Sequence, residues 1–166
     1  VANRKDSYIV GSWTNGGPEH DKKDIERITA GIASLPAMAD ELGTTSLWIV
    51  TNTRQDITRV ETVGAAINSF FGTGAAQRLE RGDTVTYDKY TLRQSTTRNL
   101  PSDRVSGAVA AIFPSKGTLD TIDRLYGRTS VIVIEHMDDA KAWKKKWNPI
   151  DLGDAADQAE DEDDDE

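Results

Sequence analysis

Four short, almost unbroken apolar runs rich in β-favouring residues set the tightest limit on the fold: 8–10 (YIV), 47–50 (LWIV), 108–113 (AVAAIF) and 131–134 (VIVI). A strand with one face in water alternates apolar with polar residues, whereas a run apolar at nearly every position is buried on both faces. Sheets of that kind are mainly parallel and carry helices on both sides. At 166 residues the chain is long enough for one such domain with a real core.

Helical spacing fills the gaps between these runs. Ile25, Ile28, Ile32, Leu35, Ala39 and Leu42 form one apolar stripe that Gly43 closes, and Pro36 inside it predicts a kink or a restart. Ile57, Val60, Gly64, Ile67 and Phe71 form a second stripe, with Thr53 as N-cap and Asp56 three residues on. Gly72 and Gly74 then interrupt it before Leu79. A short third stripe, Leu119, Ile122 and Leu125, ends at Gly127. The last helix sets Trp143 and Trp147 one turn apart, with acids at its start and Lys144, Lys145 and Lys146 near its end, as the helix dipole favours. Residues 83–98 break the rhythm: TVTY and YTLR around Asp88-Lys89 predict an antiparallel hairpin with one solvated face, hence an edge. Residues 94–104 are polar, contain Pro101 and read as a loop.

Strands alternating with helices imply right-handed crossovers and an α/β three-layer sandwich. The pattern over residues 7–150 resembles the Rossmann-like and flavodoxin-like superfolds: a mainly parallel sheet of four core strands, an edge hairpin (83–98) and four helices. Superfolds host unrelated functions, so the resemblance implies an architecture and no activity. Residues 1–152 form the single domain, and 153–166 an acidic tail expected to be disordered and dispensable for folding.

The net charge of −8 belongs to that tail. Residues 154–166 hold nine acids and no base, leaving 20 basic against 19 acidic residues elsewhere. A nearly neutral body lacks the clustered basic face that duplex nucleic acid requires. The absence of cysteine excludes disulfides, thiolate nucleophiles and zinc–sulfur sites. No apolar run reaches bilayer-spanning length and the start has no signal-peptide stretch, so a cytoplasmic protein with no membrane partner is expected.

In open α/β sheets ligands bind at the carboxyl ends of strands, where the strand order reverses. An order resembling 3-2-1-4-5 puts that reversal between the first strand and the 108–113 strand. The loops that follow supply Gly11, Ser12, Asn15, Gly16 and Gly17 on one side and Ser115, Lys116 and Gly117 on the other. Glycines let a backbone approach a ligand, and a helix N-terminus with a lysine favours an anion. A nucleotide or phosphate-containing metabolite is the ligand expected there. The motifs are unspecific: 11–17 is not G-x-G-x-x-G, and 115–118 lacks the upstream glycine of a Walker A loop. Turn glycines and an ordinary Ser115 N-cap account for the same residues.

His20, Glu135, His136, Asp138 and Asp139 offer acid–base or metal chemistry, but the last two acids already suit a helix start and no two-histidine helical spacing exists. No G-x-S-x-G elbow occurs, which disfavours a serine hydrolase. Trp143 and Trp147 read as core, with their lysines in water. The alternative function is a non-catalytic interaction module that docks a protein through the hairpin edge, or through the C-terminal helix and acidic tail. The unpaired edge is also the expected place for homo-oligomer contact.

Overall fold

The computed structural model describes residues 7–10, 18–125, 127–136 and 139–152. The acidic tail and the loop 11–17 lie outside them. Strands β1 (Ser7–Val10), β2 (Ser46–Thr51), β3 (Val85–Tyr87), β4 (Tyr90–Thr96), β5 (Gly107–Ile112), β6 (Thr129–Ile134) and β7 (Ile150–Asp151) form one sheet in the order β3-β4-β2-β5-β6-β1-β7. Every neighbouring pair is parallel except β3–β4.

Three of the four apolar runs behave as doubly buried strands. β5 and β6 are buried at all six positions, and β2 at all but its first. Alternate residues serve opposite cores. Leu47 and Ile49 join the core beneath α1 (Pro18–Ala33), α2 (Leu35–Leu42), α3 (Asp56–Arg59), α4 (Glu61–Phe71) and α5 (Ala75–Glu80). Trp48 and Val50 join the core beneath α6 (Leu100–Asp103), α7 (Lys116–Asp123) and α8 (Lys141–Trp147). The result is the three-layer α/β sandwich that the run pattern implies.

The strand order differs from the expected 3-2-1-4-5. β1 lies between β6 and β7, so the 11–17 loop leaves a strand that β6 separates from β5. The cause is the length of the first crossover. Two helices joined at Ser34, with Pro36 in the first turn of the second, carry the chain past β6 and β5 to β2. The chain then steps outward to the hairpin and returns to β5, so the direction reverses at the β2–β5 boundary.

Several boundaries follow the punctuation in the sequence. Gly43 closes α2 in the left-handed conformation (φ 71°), and Val60 in extended conformation divides the second stripe into α3 and α4. The hairpin pairs Val85 with Leu92 and Tyr87 with Tyr90, and Asp88 takes φ 51° at the turn. β3 is the edge, as expected. β4, however, runs on to Thr96 and pairs with β2 along its length, so 94–96 is strand and 100–103 a helical turn rather than loop. Burying Leu92, Ser95 and Thr96 against the sheet outweighs their polar surroundings in sequence. β7 is a strand that the sequence did not announce. The four expected helices are eight among the described residues, because Ser34 divides the first stripe, Val60 and then Gly72 and Gly74 divide the second, and 100–103 adds a turn.

Trp143 and Trp147 are buried, 4% and 8% exposed, and both indole N–H groups donate to Asp123 Oδ1. Lys144 departs from the expected solvated lysine face: its ammonium lies 2.8 Å from Glu135 Oε1, a carboxylate buried beneath α8.

Candidate functional site

Where β2 and β5 lie side by side, their carboxyl-end connections leave for opposite faces of the sheet. β2 passes to α3 on one side and β5 to α7 on the other. That divergence opens a crevice at the strand ends. The Asn52 side chain bridges it. Its amide N–H donates to Phe113 O (3.0 Å), and its Oδ1 accepts from Ser115 N (2.9 Å) and from the Thr118 hydroxyl (2.7 Å). Thr118, itself fully buried, is also hydrogen-bonded to Thr97 at the end of β4. Ser115 caps α7 by accepting from Thr118 N (3.2 Å). Three strand ends are thus tied by one polar network.

Phe113 follows β5 at φ 47°, a conformation that costs a bulky L-residue energy and that clusters at functional positions. Its N–H donates to Ile134 O, and its ring lies 5.3 Å from the exposed His136 ring. On the α3–α4 side a cavity of about 190 Å³ is lined by Thr51, Asn52, Asp56, Val60, Val63 and Phe113. Asp56 accepts from Thr53 N (3.1 Å), the returning half of a capping box, although the Thr53 side chain caps nothing.

Of the residues singled out in sequence, Ser115, Lys116 and Gly117 sit together at the first turn of α7 beside this crevice, all exposed. The amides of Lys116 and Gly117 are in the first helical turn, where no intrahelical acceptor exists, and neither has another partner among the described residues. Gly117 has an ordinary φ, and a Cβ there would meet only Ser115 Oγ at 3.8 Å, so packing does not demand a glycine. Lys116 lines the groove between α7 and α8. Gly11, Ser12, Asn15, Gly16 and Gly17 lie outside the described residues. The strand they follow is two places from β5, roughly 10 Å at ordinary strand spacing.

Among the described residues the acid–base candidates form no cluster of three. Glu135 is engaged by Lys144 and by Ala140 N (3.3 Å), His20 lies in α1 rather than in a loop, and Asp138 is outside the described residues. No group of three metal-ligating side chains occurs among the described residues. No described helix is long and apolar enough to cross a membrane.

A larger recess, about 360 Å³, lies at the hairpin end of the sheet, where Trp48, Arg54, Asp83, Arg93, Gln94 and Asp103 surround it. The Gln94 side chain donates to Thr51 Oγ1 (2.9 Å) and Arg54 O (3.1 Å), which joins this recess to the loop carrying Asn52. Sequence reasoning missed Asn52 and Phe113 because it followed glycines; the polar T-N-T directly after an all-apolar strand was the available signal. No protein-family model, curated protein or solved structure matches this chain.

Proposed function

We propose that the chain binds a small anionic ligand, a nucleotide or phosphate-containing metabolite, across the β2–β5 crevice. The carrying observation is the coincidence of three features at one strand-order reversal: the 190 Å³ cavity, the strained Phe113 and the open first turn of α7. Asp56 makes the cavity itself unfavourable for a negative charge. The uncharged part of the ligand therefore occupies the cavity against Val60, Val63 and Phe113. Its anionic end lies over Lys116 and Gly117, where two free amides, the helix dipole and an ammonium converge. No reaction is assigned, because no nucleophile–base pair is assembled at the crevice among the described residues.

The test is calorimetric titration with adenosine and guanosine mono- and triphosphates, with inorganic phosphate as the fragment control. A nucleotide that binds should lose about tenfold or more in affinity on Lys116→Glu and nothing on Lys145→Glu, an exposed lysine of the same sign on α8. Gly117→Ala should leave stability unchanged or slightly raised, since alanine favours helix by up to about 1 kcal/mol, yet weaken binding by obstructing close approach. Absence of binding by every nucleotide at millimolar concentration, or equal binding by the Lys116→Glu variant, refutes the proposal.

A further inference from the structure

The recess at the hairpin end has a second property, an open strand edge. In β4 the backbone groups of Thr91 face β2, since Thr91 N donates to Thr45 O, so those of Leu92 and Gln94 face the β3 side. The β3–β4 ladder stops at Val85–Leu92. Beyond it the chain is pulled away by α5: Gly82 N donates to Leu79 O, Asp83 N to Arg78 O, and Arg78 to Thr84 O. The main-chain N–H and C=O of Gln94 consequently have no partner among the described residues. Such an edge is a template for another strand.

Charge around this edge is asymmetric in a useful way. Asp83 is within 3.5 Å of Arg81, whereas Asp103 accepts from the Ser95 hydroxyl at 2.7 Å and keeps its negative charge, so the two further arginines of the recess outweigh one uncompensated carboxylate. Arg54 and Arg93 have no carboxylate partner among the described residues, although both line the recess. The Arg93 guanidinium instead lies over the Trp48 ring at 5.8 Å, which preorganises it with its outer face open. Two uncommitted guanidinium groups flanking an unpaired strand segment fit an extended chain carrying carboxylates.

The geometry points to an acidic peptide segment of a partner protein as the occupant: it adds as a strand to β4 at Gln94 and places its carboxylates on Arg54 and Arg93. Main-chain pairing supplies the register, and the arginines select the sign of the side chains. This reading is independent of nucleotide binding at the β2–β5 crevice.

The probe is a fluorescently labelled, amide-capped hexapeptide alternating valine and glutamate, titrated with the full chain and read by anisotropy. Saturable binding is expected. Arg54→Glu and Arg93→Glu should each weaken it at least about tenfold, and the valine–lysine counterpart should not bind. Backbone N-methylation of the probe should abolish binding, because it removes ladder hydrogen bonds while keeping every charge. Both arginines are exposed, so these variants are expected to fold, and unchanged thermal midpoints check this. No binding at millimolar peptide overturns the inference. Equal binding of the N-methylated probe reduces the site to one for simple anions, which also overturns it. If a synthetic 154–166 peptide binds more tightly than the probe, the occupant is this chain's own tail, and if the chain self-associates through this edge and Arg93→Glu makes it monomeric, the occupant is another copy; either result overturns the assignment to a foreign segment.

Discussion

Replacing Asp123 tests how the C-terminal helix is held to the sheet. One carboxylate oxygen of Asp123 accepts from Trp143 Nε1 (3.1 Å) and Trp147 Nε1 (2.9 Å), and the other from Lys146 Nζ (3.0 Å). Asp123 itself is 12% exposed, so water substitutes poorly for it. A net hydrogen bond to a charged group contributes about 1.5–3 kcal/mol, and orphaning a buried donor costs about 1–3 kcal/mol. Because both indoles share one oxygen, their losses overlap, and Asp123→Ala should cost about 3–4 kcal/mol. Asp123→Asn keeps a carbonyl oxygen for both indoles and gives up mainly the Lys146 contact. That lysine is 57% exposed, so the variant should lose no more than about 1 kcal/mol. In urea, with a slope near 2 kcal/mol per molar, the alanine variant's midpoint should fall by about 1.5–2 M. Tryptophan fluorescence reports the transition, and an unchanged slope confirms that stability alone moved. An alanine variant within about 0.5 kcal/mol of the parent would show that apolar packing holds α8 without the carboxylate.

Three further outcomes follow from particular contacts. Lys144→Met should cost about 3 kcal/mol in urea unfolding, the low end for stranding a buried carboxylate because the lysine is one-third exposed; a Glu135→Gln/Lys144→Met double variant that recovers none of the loss would contradict the pairing. Gly107→Ala should lower the unfolding free energy by at least about 1–2 kcal/mol, because φ is 105° and the new Cβ would sit 2.5 Å from Ser46 O; parental stability would mean that β5 shifts freely against β2. Finally, the Tyr90 hydroxyl, and after it Lys89, hold the Asp40 carboxyl below its ordinary 3.8, while Asp40 raises the phenol of Tyr90 above 10.0 and the ammonium of Lys89 above 10.5. A depressed carboxyl stabilises above its unfolded value and loses that contribution as pH falls below 3.8. The raised phenol and ammonium stabilise below theirs and lose it as pH climbs past 10.0 and 10.5 respectively. Tyr90→Phe should raise the Asp40 titration seen by carbon NMR, and an unmoved titration rejects the hydrogen bond as the cause.

How much of this was legible in the sequence depended on whether a residue's role is local. Pro36, Gly43, Gly72 and Gly74 act on their own backbone, and each ends or divides a helix where the sequence implies. The apolar runs of β2, β5 and β6 became doubly buried strands because solvent exclusion on both faces is written at every position. Strand order is different in kind. Nothing in 8–10 reveals that it pairs with 131–134, since several apolar strands are interchangeable partners until the crossover length decides. Lys144 was misread as solvated because its partner, Glu135, is brought near only by the packing of α8. Asn52 and Phe113 show the same limit, for their importance lies in contacts to residues about sixty positions away.

The seat of β1 between β6 and β7 has a consequence for how the chain is made. Ser7 pairs with Val131 and Tyr8 with both Ile132 and Ile150, so β1 is synthesised well before either of its sheet neighbours. At about 5–20 residues per second, this apolar segment waits roughly 6–25 s for its neighbour. The hairpin, β2 and β5 are complete earlier and can assemble without it. Vectorial synthesis therefore passes through a nascent sheet whose growing edge is β5 and then β6, with β1 docking late and β7 closing over it. Substitutions that weaken the β1–β6 pairing should lower the yield of folded protein in a cell more than they lower the stability of protein already folded.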